Sequence, residues 1–184
     1  MSDSTRERIL DATLRVLARR GVAGVSMRAV AREADVAIGL TNYHFENKIR
    51  LISAALERIG DTDMELVAQD DTAPPADRLR RALQRALDPA FLTDDYLSLR
   101  LQLWSLAGVD ETFGEINRAA QRRYLAGLAD LVAAARPDLC RQQAERRAID
   151  ILTEQNGVWL TAVLIPDESA VARALERTEA LAFG

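Results

Sequence analysis

Aromatic residues make up only 5% of this 184-residue chain, which has a single cysteine, a single histidine and a single lysine. One cysteine, Cys140, excludes an internal disulfide framework and fits a reducing cytoplasm; a lone thiol is ordinarily inert. One histidine, His44, has no Cys, His or carboxylate cluster at ligand spacing beside it, so neither a metal site nor a histidine-based catalytic set can be assembled. No Gly-rich phosphate loop is present, and no cofactor is implied. No apolar run approaches the roughly 20 residues a membrane span requires. The first residues, MSDSTRERILDA, are charged and lack the apolar core of a signal peptide, so a cytoplasmic location is expected. Strand signals are nearly absent, and no period of about 20–50 residues repeats, which argues against a solenoid.

What is present is an ordinary globular composition, 48% hydrophobic and 28% charged, long enough for one sizeable core or two small ones. The net charge of −4 argues at first against a polyanionic partner, but its distribution reverses that impression. Residues 1–50 hold nine Arg/Lys against six Asp/Glu, a balance of +3; the remainder holds fifteen against twenty-two, a balance of −7. A basic N-terminal module on an acidic body fits a reader of nucleic acid with a separate second domain. Of the 24 cationic residues all but Lys48 are Arg, an imbalance that with the abundant Ala and Leu reflects GC-rich coding.

Helical periodicity recurs throughout and predicts an all-α fold of about nine helices. A first helix over Ser4–Arg20 puts Ile9, Ala12, Val16 and Leu17 on one face and ends at Gly21. Val22, Val25, Val30, Ala31, Val36 and Phe45 complete a small three-helix core with that face. A fourth helix from Lys48 carries Leu51, Ile52, Ala55, Leu56 and Ile59, weakens near Gly60-Asp61, and stops before a linker-like stretch over Gln69–Pro75. Further helices read as Ala76–Leu87, Thr93–Ala107, Glu111–Ala135, Asp138–Ile165 and Asp167–Leu181, with breaks at Pro89, Gly108, Pro137 and Pro166. Gly114, Gly127 and Gly157 lie inside helical stretches and mark close packing or a kink. The domain division expected is 1–47 and 48–184.

Residues 26–48, SMRAVAREADVAIGLTNYHFENK, carry the most information. Ser26 can cap a short helix that Glu33, Ala34 and Asp35 end; a second helix runs from about Ala37 to His44, and Lys48 opens the next. Two short helices joined by a tight turn form a helix-turn-helix, whose second helix enters the DNA major groove. Asn42 can pair bidentately with adenine and is the base-reading candidate. Ile38 and Leu40 either meet thymine methyl groups or pack inward. Arg28 is a phosphate contact or a solvated charge, Tyr43 offers a ring and hydroxyl to the sugar-phosphate, and His44 contacts phosphate or caps its helix.

This segment resembles the DNA-binding signature of the TetR family of bacterial transcriptional regulators. The resemblance rests on Ser26, Arg28, Val36-Ala37, Gly39, Tyr43-His44-Phe45 and Lys48 at the family's spacing. It implies that Gly39 lets the backbone approach DNA closely and that Lys48 sits at a phosphate-contacting position. Three positions depart from the pattern: Asp35 stands where the family has a turn Gly, Ile38 replaces a polar or basic residue, and Leu40-Thr41 inverts a polar-then-apolar order. That last departure leaves the rotation of the second helix open. The stretch Ala148–Leu164, with Asn156-Gly157-Val158-Trp159, is similar to the penultimate helix of BetI-like members.

The resemblance further implies a dimer that pairs its last two helices around a two-fold axis and reads a palindromic operator. Ile149, Leu152, Val163, Leu164, Val171, Leu175 and Leu181 are the interface candidates, being more apolar than a monomer's outer helices need. It implies, too, a small-molecule effector in the helical body that releases the repressor from double-stranded DNA. Phe91, Tyr96, Gln102, Trp104, Phe113, Tyr124, Asn156 and Trp159 supply aromatic walls and a few polar groups for it, or else are plain core. The alternatives are a helical protein-interaction module and a small helical enzyme; turnover without DNA would mark the enzyme, and salt-steep duplex binding the regulator.

Overall fold

The computed structural model describes residues 2–68, 72–88, 91–165 and 167–184. Among them the chain is all-α: α1 Ser2–Gly24, α2 Met27–Glu33, α3 Ile38–Phe45, α4 Lys48–Leu66, α5 Pro75–Ala86, α6 Asp94–Ala107, α7 Glu111–Ala135, α8 Arg141–Leu164 and α9 Glu168–Phe183. The expected boundaries hold to within a few residues, and α7 coincides with its expectation. Residues 69–71 of the linker expected over Gln69–Pro75, and the breaks at Pro89 and Pro166, lie outside the described residues, and α5 already begins at Pro75.

Two compact units result, one of residues 1–60 with 98–118 and the other of residues 61–97 with 119–184. In the first, Ile9, Ala12, Val16 and Leu17 of α1 close a core with Val25, Val30, Ala31 and Phe45, while Val22 and Val36 are only half-buried. Gly21 breaks the helical path of α1 with a left-handed φ of 64°, at the residue where termination is expected. The carbonyls this frees find side-chain donors on α6: Gln102 Nε2 donates to Leu17 O at 2.6 Å and Ser98 Oγ to Ala18 O at 3.0 Å. Ion pairs lace the surface, with Arg15 and Arg19 on Glu33 and Arg58 on Glu7 and Asp11. The Arg15 hydrogen bond holds the Glu33 carboxyl below its usual range.

The second unit is built on Leu79, Leu83, Leu128, Leu131, Ile151 and Trp159, all fully or nearly fully buried. Gly127 allows close packing there: a Cβ on it would lie 2.9 Å from Val67 Cγ2. A Cβ on Gly157 would meet nothing within 4 Å, so neither packing within the chain nor a kink explains that glycine. The weakening expected at Gly60-Asp61 does not occur. α4 continues through it because Gly60 is buried and Asp61 pairs with Arg123 at 2.6 Å, so tertiary contacts outweigh local propensity.

Two aspartates order the segments that precede the last two helices. Arg136 grips Asp138 with two parallel bonds of 2.8 and 2.7 Å, and Asp167 caps α9 through the Ser169 amide and hydroxyl and binds Arg173. The Arg136 bond brings the Asp138 carboxyl down to about 2 from 3.8, and the Ser169 hydroxyl with Arg173 does the same for Asp167. Both groups therefore favour the folded chain as carboxylates, and their contribution is complete above about pH 4 and lost as pH falls toward 2. Thermal melts followed by circular dichroism should show a drop in midpoint across that window, and an Asp138→Asn/Asp167→Asn chain should show a smaller one. An equal drop in both chains would contradict the assignment.

Candidate nucleic-acid interface

The basic end of the chain builds an outward-facing helix on a braced turn. Ser26 takes extended backbone and its Oγ accepts from the Ala29 amide at 3.1 Å, so α2 starts where the cap is expected. α2 ends at Ala34, and Asp35 adopts a left-handed φ of 52°, as its place at the usual glycine position requires. Val36 N returns to Ala31 O at 3.0 Å and closes the turn. The carbonyls of Ala34 and Asp35 then point outward, and Arg8 Nη2 of α1 donates to both, at 2.8 and 3.0 Å. Sequence reasoning missed this brace; nothing in the pattern separates Arg8 from any solvated helix arginine.

Ala37 is the N-cap of α3, with extended backbone, and the helix proper begins at Ile38. Thr41 and Phe45, one turn apart, face the core, both buried and Thr41 fully so. That fixes the rotation the sequence left open. Ile38 (44% exposed), Gly39, Leu40 (43%), Asn42 and Tyr43 (79%) are turned to solvent, and His44 is half-buried with its ring edge-on to Tyr43 at 5.2 Å. Neither Ile38 nor Leu40 packs inward. Phe45 is closed over by Arg6, whose guanidinium lies 5.4 Å from its ring centroid. Arg28 is exposed in the first turn of α2. Lys48 is half-buried and its Nζ donates to Val22 O at 2.9 Å, tying the start of α4 to the end of α1.

The effector candidates divide between the two units. Phe91, Tyr96 and Trp159 come together, with ring centroids 4.3 to 6.4 Å apart. Tyr96 OH donates to Asp63 Oδ1 at 2.7 Å, Trp159 Nε1 to Ala86 O at 3.0 Å, and Tyr124 OH to the buried Gln155 Oε1 at 3.0 Å. Gln155 Nε2 and Asn156 Oδ1 are buried without a hydrogen-bond partner among the described residues. Gln102, Trp104 and Phe113 lie in the other unit, and Gln102 is engaged with the end of α1. Three of the eight thus belong to the first unit and five to the second. Sequence reasoning missed Asp63 and Gln155, although Asp63 continues the buried stripe Ile52-Leu56-Ile59 of α4 at helical spacing.

The interface candidates also separate. Leu152 is buried in the chain's own core with Leu175 and Leu181 packed against it, and Val171 packs on a second cluster of Leu87, Val158 and Ala174. Ile149, Val163 and Leu164 are exposed, joined on α8 and just past it by Leu160 and Ile165.

A braced helix-turn-helix head and a helical body define a transcription regulator. The family model described as "Bacterial regulatory proteins, tetR family" matches residues 9–55, and "BetI-type transcriptional repressor, C-terminal" matches residues 75–182. The chain belongs to the tetR family of regulators, with the BetI-type C-terminal domain. It is 25% identical over 170 residues to the HTH-type transcriptional regulator BetI of Burkholderia lata, covering 89% of this chain and 84% of that one. The BetI regulator of Burkholderia mallei is 24% identical over 181 residues, covering 96% and 90%. Among solved structures, a TetR family member from Streptomyces coelicolor superposes with a TM-score of 0.73 at 27% identity, covering 96% and 97%. A transcriptional regulator from Rhodococcus sp. gives 0.78 at 25%, covering 96% and 94%. These relatives are DNA-binding regulators, not enzymes. No helix among the described residues is long and apolar enough to cross a membrane.

Gly39 gives a direct test of the outward face. A Cβ there would meet nothing within 4 Å, so Gly39→Ala should raise stability to thermal melting by up to about 1 kcal/mol. The same substitution should weaken duplex binding several-fold. A variant that is more stable and binds as tightly would show that this face does not approach DNA.

Proposed function

We propose that the chain is a repressor that binds a palindromic operator as a homodimer and leaves it when a small organic effector enters the body. The observation that carries the DNA half is the exposure of Ile38, Gly39, Leu40, Asn42 and Tyr43 on a helix whose opposite side is locked by Thr41 and Phe45. Phosphate contacts are assigned to Ser26, Arg28, Tyr43, His44 and Lys48, with Ala37 starting the helix at the DNA. One such helix makes too few base contacts to select a genomic site, and a two-fold pair doubles them.

The dimer is assigned to α8 and α9, with the exposed stripe Ile149, Leu160, Val163 and Leu164 at its centre. Gly157 lies in that stripe with open space before it, which suits close approach of a second helix. The effector is assigned to the second unit, at Phe91, Tyr96, Tyr124, Asn156 and Trp159. A cleft lined by Thr62, Glu65, Leu66, Arg85, Asp88 and Phe91 opens beside that cluster. Aromatic faces near Asp63 favour a small organic cation, and a Saccharomonospora viridis protein of the same fold, 22% identical, was crystallised in complex with choline.

Titration of the dimer against duplexes from the region upstream of its own gene tests the reading. Lys48→Ala should weaken all duplexes about equally and reduce the salt slope by about 1, while Asn42→Ala should relax one operator position by roughly 1–3 kcal/mol. Operator binding unchanged in both would show the assigned face to be wrong. Leu160→Glu/Leu164→Glu should sediment as a monomer and lose the operator, and a dimer that persists would move the interface elsewhere. Choline should release the bound duplex; a bound fraction unchanged at saturating choline removes that effector.

A further inference from the structure

α3 is arranged against its own interest as a folded element. Its leucine is outside and its threonine inside: Leu40 is 43% exposed, while Thr41 is fully buried and its hydroxyl has no hydrogen-bond partner among the described residues. Burying an unpartnered hydroxyl and exposing an aliphatic side chain both cost stability, and exchanging the two residue types would relieve both. Local rules are broken in this way where a surface serves a partner. For α3 that partner is the major groove of an operator, as proposed for the function of the chain, and the base preference of α3 rests on that reading.

The chemistry of the exposed face is narrow. The sequence of α3, IGLTNYHF, contains no Arg or Lys, the side chains that read guanine through O6 and N7. Its exposed face offers instead two aliphatic side chains, one amide and Tyr43, whose ring and hydroxyl are assigned above to phosphate. Ile38 and Asn42 are four residues apart and share one edge of the helix, with Leu40 on the other edge and the open Gly39 between them. The one aliphatic feature of the major groove is the C5-methyl of thymine, and the pair an amide reads bidentately is adenine N6 and N7. Thymine and adenine are partners in the same base pair. An aliphatic group and an amide side by side on one edge therefore match consecutive A·T pairs.

We infer that α3 reads methyl groups: Ile38 and Leu40 each cover a thymine C5-methyl and Asn42 takes an adjacent adenine, so the groove-facing pairs of each half-site are A·T. Guanine is left unread by this helix. The head selects its site by apolar contact in the groove and uses its cations on phosphate.

The test uses the full-length protein and a pool of random-sequence duplexes, from which bound molecules are selected and sequenced. Each thymine of the selected duplex is then replaced in turn by deoxyuridine, which keeps every hydrogen bond and lacks only the methyl. Wild-type affinity should fall about fourfold for each contacted methyl, and roughly fifteenfold when both half-sites are changed together. Ile38→Ala and Leu40→Ala alter exposed side chains and should fold normally by circular dichroism. Each should bind the thymine and uracil duplexes alike at the position it covers. The inference is overturned if no replacement weakens wild-type binding, if the selected half-sites present G·C at the enriched positions, or if the loss persists undiminished in both variants. A pool from which no duplex is enriched overturns the proposed function itself, and is a distinct result from enriched duplexes that ignore the methyl.

Discussion

The recognition surface depends on one guanidinium. The turn between α2 and α3 passes through a left-handed Asp35, and that path leaves two peptide carbonyls aimed away from any helix. Arg8 reaches from α1 and takes both, so the entry of α3 is fixed to the first helix rather than to its own short hydrogen-bond ladder. An eight-residue helix could not hold its orientation alone. Lys48 does the corresponding work at the other end by bonding Val22 O. Two cations of the basic head are thus engaged with its own backbone, and Arg15 and Arg19 face Glu33. The positive charge of residues 1–50 holds the head together before it meets any polyanion.

The helices were legible because their ends are written in residues with local physical effects. Ser26 caps, Gly21 breaks, Pro75 begins, and the buried faces of α1 and α4 repeat at helical spacing. The family of the head was legible for the same reason: its signature lies within one short stretch. What escaped depends on partners distant in sequence. The rotation of α3 could not be read, since Leu40 and Thr41 in inverted order fit either face until Phe45 and the α1 core choose one. Arg8 looks like any surface arginine until a turn more than twenty residues away needs it. Asp63 sits on an apolar stripe that gives no sign of Tyr96 across from it.

The body shows the same division. Its few aromatic residues stand out in the sequence, yet type alone could not sort them. Phe91, Tyr96 and Trp159 form one cluster while Trp104 and Phe113 serve the other unit. The apolar residues of α8 behave likewise. Leu152 and Ile149 are three residues apart and so neighbours on one helix face, yet Leu152 is buried and Ile149 is exposed because the packing edge runs between them.

The outward side of α3 bears on nothing else in the head. Its buried side, Thr41 and Phe45, is committed to the fold, and the brace at Arg8 contacts the backbone carbonyls of Ala34 and Asp35, outside α3. Positions 38, 40, 42 and 43 can therefore change with little effect on folding. Binding preference in such a head is separable from architecture. A lineage could acquire a new target by substitutions at four exposed positions, one at a time, with every intermediate still a folded protein.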